Sequence, residues 1–317
     1  MLWADGNRHK HSSRNEEKMK QKTHASSRRL PSWLRVSYGG GQQRSQVRNL
    51  ISDLGLHTVC ESANCPNLGE CWERGTATFM ILGDYCTRDC AFCAVPHEDQ
   101  PASPDPDEPE RVATAARELN LSYVVVTSVT RDDLDDGGAQ HFAETIQALR
   151  MKLPGAGVEV LTPDFNGGAG DVAKVLEAGP SVFNHNVETC RRLTGEVRPQ
   201  ADYDQSLGVL YRASEKGGNE IAVKSGAMLG LGETETEIHE MLHDLRQHGV
   251  QILTLGQYLP PSKQHWPLDR YLTPDEFAAW RRIAQEDYGF SYVESAPLVR
   301  SSYRAEEAAG HTLKPTE

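Results

Sequence analysis

The stretch FMILGDYCTRDCAFC, residues 79–93, joins a short apolar run to three thiols. FMILG has the length and character of a strand buried on both faces, and it delivers Cys86 at its C-terminal end. Cys86, Cys90 and Cys93 follow the spacing CxxxCxxC. Cysteine thiolates hold iron-sulfur clusters, and a four-iron cube needs four ligands, so a loop that offers three leaves one iron open to something else. Structural zinc is the alternative, but it takes four nitrogen or sulfur ligands, usually from two paired units, and only one CxxC is present. The spacing favours the cluster.

Beyond this loop, residues 96–110 carry five prolines and six acids, which marks a surface loop that must end before a helix at 110–119. Strand and helix signals then alternate. Strands are expected at 123–129, 158–161, 181–184, 221–229 and 252–256, and helices at 140–152, 171–178, 203–216, 234–248 and 274–286, with an earlier helix at 43–53. With FMILG this makes six strands alternating with helices, which implies a parallel sheet. Right-handed crossovers curl such a sheet toward a barrel, and a doubly wound open sheet is the runner-up. In either architecture ligands gather at the carboxyl ends of the strands.

Those ends are rich in polar residues: Thr127, Ser128, Arg131, Asp132 and Asp133 after the second strand, and Asn184, His185, Asn186 and Glu188 after the fourth, with Lys224 on the fifth. Each also has an ordinary reading, a helix-capping turn for the aspartates or a satisfied structural histidine for His185. Their clustering at one end of the sheet raises the set above its members. GAMLGLGE, residues 226–233, reads as a strand-to-helix turn whose glycines would let the backbone approach a flat ring, and Cys190 reads as a small buried filler.

Upstream, CESANCPNLGEC places Cys60, Cys65 and Cys71 among Asn64, Pro66, Asn67 and Gly69, turn formers that suggest a loop on which three thiols converge. Six of the seven cysteines thus fall in two ligand-like groups, a poor framework for disulfides, and reduced thiols imply a reducing compartment. The net charge is −12, yet residues 1–50 hold eleven Lys or Arg against three Asp or Glu, so the acidity belongs to the remainder. Such a body repels nucleic acid. No apolar run is long enough to span a membrane, and a soluble, cytoplasmic protein is expected. Residues 1–29 are polar and basic and read as a mobile tail; a mitochondrial transit peptide, which would place the chain in the matrix, is spoiled by Asp5, Glu16 and Glu17.

The CxxxCxxC loop resembles the signature of the radical S-adenosylmethionine (SAM) superfamily. Together with CESANCPNLGEC and with RSSY at residues 300–303, it resembles the lipoyl synthase family within that superfamily, over residues 30–309 without an evident gap. The resemblance implies a partial (β/α)6 TIM-like barrel with N- and C-terminal extensions: residues 30–75 with the first cysteine group, 76–290 as the barrel, and 291–317 with RSSY. It implies two [4Fe-4S] clusters and SAM as cofactors, with Cys86, Cys90 and Cys93 on the SAM-cleaving cluster and Cys60, Cys65, Cys71 and Ser302 on an auxiliary one. Thr127, Asn184, Glu188, Arg198 and Lys224 are then candidates for SAM contact, Arg131 and Asp132 for the substrate channel, and Arg300 and Tyr303 for orienting Ser302.

The implied activity is insertion of two sulfurs, drawn from the auxiliary cluster, at C6 and C8 of an octanoyl group on a lysine of a lipoyl carrier domain. Implied partners are octanoylated carriers, the E2 subunits of 2-oxoacid dehydrogenases and the glycine cleavage H protein, and a low-potential donor of ferredoxin or flavodoxin type. Two rivals are a biotin synthase-like enzyme, which would not account for CESANCPNLGEC and RSSY together, and a non-catalytic iron-sulfur carrier or sensor.

Overall fold

The structure, a computed structural model, describes residues 30–35, 42–62, 65, 67–73 and 78–312. The chain divides into two units, Met1–Arg35 and Val36–Glu317. In the first, the described piece is one 3-10 turn, Ser32–Leu34, with the Arg35 guanidinium on the Leu30 carbonyl. The basic tail, the glycines at 39–41, and Asn64 and Pro66 lie outside the described residues.

The second unit opens with α1 (Gln42–Asp53), β1 (His57–Thr58), α2 (Val59–Ser62) and α3 (Leu68–Glu73). Strands and helices then alternate as β2 (Thr78–Ile81), α4 (Glu108–Glu118), β3 (Tyr123–Ser128), α5 (Ala139–Lys152), β4 (Gly157–Leu161), α6 (Ala169–Glu177) and β5 (Val182–Asn184). After α7 (Arg191–Val197) come α8 (Tyr203–Gly217), β6 (Ala222–Leu229), α9 (Glu235–Gln247), β7 (Ile252–Gln257), α10 (Pro274–Glu286), β8 (Tyr292–Ser295) and α11 (Ala305–Thr312).

The sheet runs in the order β1 to β8, and all neighbours from β2 onward are parallel, whereas β1 pairs antiparallel with β2. This is the open, curled α/β sheet of six βα units that the sequence implies, extended at its edges by β1 and β8. Strands β2, β6 and β7 are buried almost throughout, as expected where helices cover one face and an interior lies on the other. The helices start where local chemistry dictates. Thr234 with Glu237 and Thr273 with Glu276 form reciprocal capping boxes for α9 and α10, and Asp202 accepts from the Gln205 N–H to begin α8.

Register sets the height of the side chains. Thr127 stands opposite Leu161, Leu161 opposite Asn184 and Asn184 opposite Lys224, so three of the candidate SAM contacts share one row across β3, β5 and β6. At the other end of the strands, Ala308 and Ala309 of α11 share an apolar cluster with Val182, Ala222 and Ile252, the first residues of β5 and β6 and of β7, flanked by Tyr123 and Tyr292. Small residues let this last helix approach the strand starts closely. Helix α11 therefore packs at the N-terminal end of the sheet, opposite the strand ends that carry the CxxxCxxC loop.

One local expectation is corrected. The segment from Cys60 to Cys71, read as irregular, places Cys60 in α2 and Cys71 in α3, with Cys65 between them. Of the turn formers only Gly69 falls within a helix, α3, and Glu61 and Glu70 in the first turns favour the helix N-termini on either side.

Candidate functional site

The CxxxCxxC loop leaves β2 and folds back on itself. Cys86 donates its N–H to Pro96 O at 2.9 Å and accepts from Glu98 N at 3.0 Å. The far side is tied down by Ala91 N to Val197 O, Trp266 N to Ala91 O, and His265 Nε2 at 2.9 Å from the Cys93 carbonyl. Phe92 packs into an apolar cluster with Cys190, Leu193, Val197, Leu231 and Tyr258, where Cys190 is the filler its sequence context suggests. Two backbone N–H groups point at the Cys86 sulfur, from Arg88 at 3.4 Å and Thr130 at 3.3 Å, and Val95 N–H points at the Cys93 sulfur at 3.5 Å. Burial pushes the Cys90 thiol up to about 11 and the Cys93 thiol up to about 12, so both are protonated until a metal displaces the proton.

Between β5 and α7 the chain turns through Glu188, a non-glycine residue in the left-handed region at φ 65°. Its backbone is held to β6 on both sides, by Glu188 N to Gly226 O and Met228 N to Glu188 O. Gly226 is required there, because a Cβ would stand 2.8 Å from Asn186 Oδ1 and 2.5 Å from Thr254 Oγ1. Burial raises the Glu188 carboxyl above its ordinary range, against the pull of Arg198 and Arg300. Arg198 donates to the Val187 carbonyl at 3.1 Å, and Thr127 Oγ1 to the Leu161 carbonyl at 3.0 Å. In GAMLGLGE, Glu233 caps its own turn by accepting from the N–H groups of Gly230, Leu231 and Gly232.

Three sequence candidates are engaged by protein partners. Lys224 Nζ lies 2.7 Å from Glu159 Oε1, both side chains wholly buried, and Tyr123 Oη donates to the other Glu159 oxygen at 3.1 Å. Arg131, also buried, is taken up by Asp133 and the Leu82 carbonyl, and Asp132 by Arg88. Glu159, within the apolar strand GVEVL, is the signal that points to the first pair.

The second cysteine group borders a cavity. Cys60, Cys65, Cys71 and Ser302 all line it, with Tyr123, Arg300 and Tyr303. Asn67 Nδ2 donates to the Leu298 carbonyl at 2.7 Å, joining the cysteine segment to the chain that leads into RSSY. The two serines part company: Ser302 faces the cavity, whereas Ser301 Oγ accepts from Asn186 Nδ2 at 2.6 Å. Asn186 also donates to Glu188 at 3.0 Å, so RSSY touches both sites through neighbouring residues.

Comparison with known proteins bears directly on this pairing of sites. Residues 80–245 match the model of the radical SAM superfamily, and residues 3–65 match that of the N-terminal domain of lipoyl synthase. The chain is 50% identical to a lipoyl synthase of Chlorobaculum tepidum over 276 residues, 87% of this chain and 94% of that one. It is 55% identical to a lipoyl synthase of Methylococcus capsulatus over 282 residues, covering 89% and 87%. The chain belongs to the lipoyl synthase family. Among solved structures, the [FeFe]-hydrogenase maturase HydG of Carboxydothermus hydrogenoformans aligns over 96% of this chain and 70% of its own, with TM-score 0.56 and 12% identity. Methylornithine synthase aligns over 88% and 89%, with TM-score 0.51 and 15% identity. These two share the fold.

Membership in the radical SAM superfamily brings SAM and [4Fe-4S] clusters with it, and the side chains fit them. Buried Ser128 Oγ, Asn184 Oδ1, Asn186 Oδ1, His185 Nε2 and Arg198 Nε lack a hydrogen-bond partner among the described residues. All belong to the strand ends or to Arg198 beside them, and unpaired buried polar atoms call for a polar ligand. Three thiols on one loop, with N–H donors aimed at two sulfurs, fit the donor set of a cluster. Among the described residues no three His, Cys, Asp or Glu side chains draw together as closely as the ligands of a single ion. A cube spreads its irons over alternate corners, so its ligands stand farther apart than those of one ion.

Proposed function

We infer that this chain acts as a lipoyl synthase on octanoyl groups carried by lysine, inserting one sulfur at C6 and one at C8. The observation that carries the reading is the pair of cysteine sites: an open three-thiol loop at the strand ends and a second three-thiol cavity that includes Ser302. Bound SAM and two clusters would supply reductive cleavage to a hydrogen-abstracting radical, together with the sulfur to be inserted.

The chain's own contribution is to hold and to exclude. Cys86, Cys90 and Cys93 would bind the SAM-cleaving cluster as thiolates, and Thr127, Asn184, Glu188 and Arg198 would receive SAM in the buried polar row at the strand ends. Lys224 would act one step removed, paired with Glu159 beneath Asn184, whose amide stands 3.5 Å from the same carboxylate oxygen. Cys60, Cys65, Cys71 and Ser302 would hold the sulfur donor. Ser302 Oγ is a harder ligand than a thiolate and takes up a proton readily, which suits a ligand that must let go. Burial inside the sheet keeps water from the reacting carbon.

Carrier domains of E2 subunits and of the glycine cleavage H protein are the proposed substrates, and a ferredoxin or flavodoxin the electron donor. The six cysteines of the two sites, none of them in a disulfide, fit the reducing cytoplasm. Anaerobic reconstitution followed by incubation with SAM, dithionite and an octanoyl-lysyl peptide tests the reading. About eight irons per chain and a lipoyl product are expected. Deoxyadenosine without any sulfur-bearing peptide, from protein loaded with both clusters, would overturn it.

A further inference from the structure

Arg88 lies inside the CxxxCxxC loop, and its side chain is only 4% exposed. Its guanidinium grips Asp132, with Nε and Nη2 at 2.7 and 2.9 Å from the two carboxylate oxygens. It also grips Asp164, with Nη1 and Nη2 at 2.8 and 2.7 Å, and Nη2 reaches Asn166 Oδ1 at 3.1 Å. Asp132 follows β3 and Asp164 follows β4, so a single side chain from the loop after β2 fastens three successive strand ends. Asp164 is wholly buried, and the Arg88 charge holds its carboxyl far below the usual carboxylate range despite the opposing effect of burial. The turn it caps includes Phe165 and Asn166, two consecutive non-glycine residues at φ 48° and 50°, a costly conformation that the surrounding contacts must maintain.

The clamp converges on one sulfur. The N–H groups aimed at Cys86 come from Arg88 itself and from Thr130, two residues before Asp132. Between them, Thr87 donates to the Thr130 carbonyl through both N and Oγ1 at 3.0 Å and accepts from the Asp132 N–H at 2.9 Å. Hydrogen bonds to the sulfurs of an iron-sulfur centre raise its reduction potential by favouring the more negative, reduced state. Their worth depends on geometry, since such contacts weaken steeply when misaligned.

We propose that Arg88 is a positioning residue that sets the reduction potential of the SAM-side cluster, by locking the loop onto Asp132 and Asp164 so that two N–H groups stay aimed at the Cys86 sulfur. The proposal rests on the assignment of Cys86, Cys90 and Cys93 to that cluster. A lysine at 88 keeps the charge but cannot engage two carboxylates bidentately.

The test is an EPR-monitored redox titration of anaerobically reconstituted protein, following the signal that SAM perturbs, in wild type, Arg88→Lys and the milder, rim-exposed Asp132→Asn. Both variants are expected to keep about eight irons, to shift that cluster to a more negative potential, and to cleave SAM several-fold more slowly at saturating SAM with its KM little changed. The direction in Asp132→Asn is diagnostic. Removing a nearby negative charge would by itself raise the potential, whereas loosening the clamp lowers it. An upward shift in Asp132→Asn, or wild-type potential and cleavage in Arg88→Lys with only a lower melting temperature, would overturn the proposal and leave a merely stabilising ion pair. Wild-type protein without a SAM-perturbed signal would overturn the cluster assignment itself, and the proposal with it.

Discussion

At the scale of single residues, RSSY offers two adjacent hydroxyls with different surroundings. Ser302 lines the cavity of Cys60, Cys65 and Cys71, and Ser301 is occupied by Asn186. Ser302→Ala is therefore expected to abolish the lipoyl product while the fold persists, and Ser301→Ala to lower it only in part, through the freed Asn186 amide; product per chain in the two variants decides, and equal losses would contradict the assignment. His185 predicts a pH effect. Its Nδ1 lies 2.9 Å from the Thr162 carbonyl, so that nitrogen carries the proton, and burial first, then Arg198, holds the ring down to about 4 from 6.5. Between those values the unfolded chain binds the proton and the native one does not, so this residue's contribution to stability falls as pH drops from 6.5 toward 4. The gap in melting temperature between wild type and His185→Gln should narrow over that interval, and a constant gap would count against a neutral buried imidazole. Cysteine spacing made the candidate ligands legible in the sequence, because thiols at CxxxCxxC have few other uses. The pairing of Lys224 with Glu159 was not, since the two lie on different strands 65 residues apart, and neither was Arg88, whose two carboxylate partners lie 44 and 76 residues away.

At the scale of elements, the helices with strong local signals are those the sequence places best. The helix at 274–286 begins with Thr273 capping and Pro274 in the first turn, and it is found with the expected bounds. Two strands escaped because they lack such signals: β1 is two residues long, and β8 reads YVES, where Glu294 accepts from Arg281 of α10 and from the hydroxyl of Tyr292. Helix α11 escaped for the same reason, being rich in alanine and short. It nonetheless places small buried side chains against the starts of β5, β6 and β7. Ala308→Phe overpacks that cluster and should cost roughly 1–3 kcal/mol of stability. Because Arg304 and Ala305 follow RSSY directly, the same variant should lose auxiliary-site iron before SAM-side iron. Chemical denaturation and iron counts in the presence and absence of Cys65→Ala measure both, and unchanged stability would mean that the cluster tolerates the added ring.

At the scale of the second unit as a whole, the segment from Val299 to Tyr303 joins two chemistries. Val299 passes so close to Gly256 that a Cβ there would collide with its carbonyl, so the strand must carry glycine for the segment to reach the interior. Arg300 then lies within electrostatic reach of Cys65 in one site and Glu188 in the other, and burial lowers its basicity while both of those groups raise it. Ser301 and Ser302 divide between the same two sites. The cysteines themselves, however, belong to separate segments: Cys86, Cys90 and Cys93 are anchored by Thr130, Val197 and Trp266, none of which lines the other cavity. Cleavage of SAM and insertion of sulfur should accordingly be separable. Cys65→Ala is expected to retain about half of the iron, to produce deoxyadenosine on reduction with SAM, and to yield no lipoyl peptide. Cys90→Ala, in contrast, should lose deoxyadenosine and product together while keeping the iron of the other site. Iron content, deoxyadenosine and peptide product measured on the same samples distinguish the two patterns. If Cys65→Ala inserted sulfur at the wild-type rate, the cavity beside Ser302 would not be the sulfur source; if it lost SAM cleavage as completely as Cys90→Ala, the link through Asn186, Ser301 and Arg300 would have to couple the sites far more tightly than their separate anchors suggest.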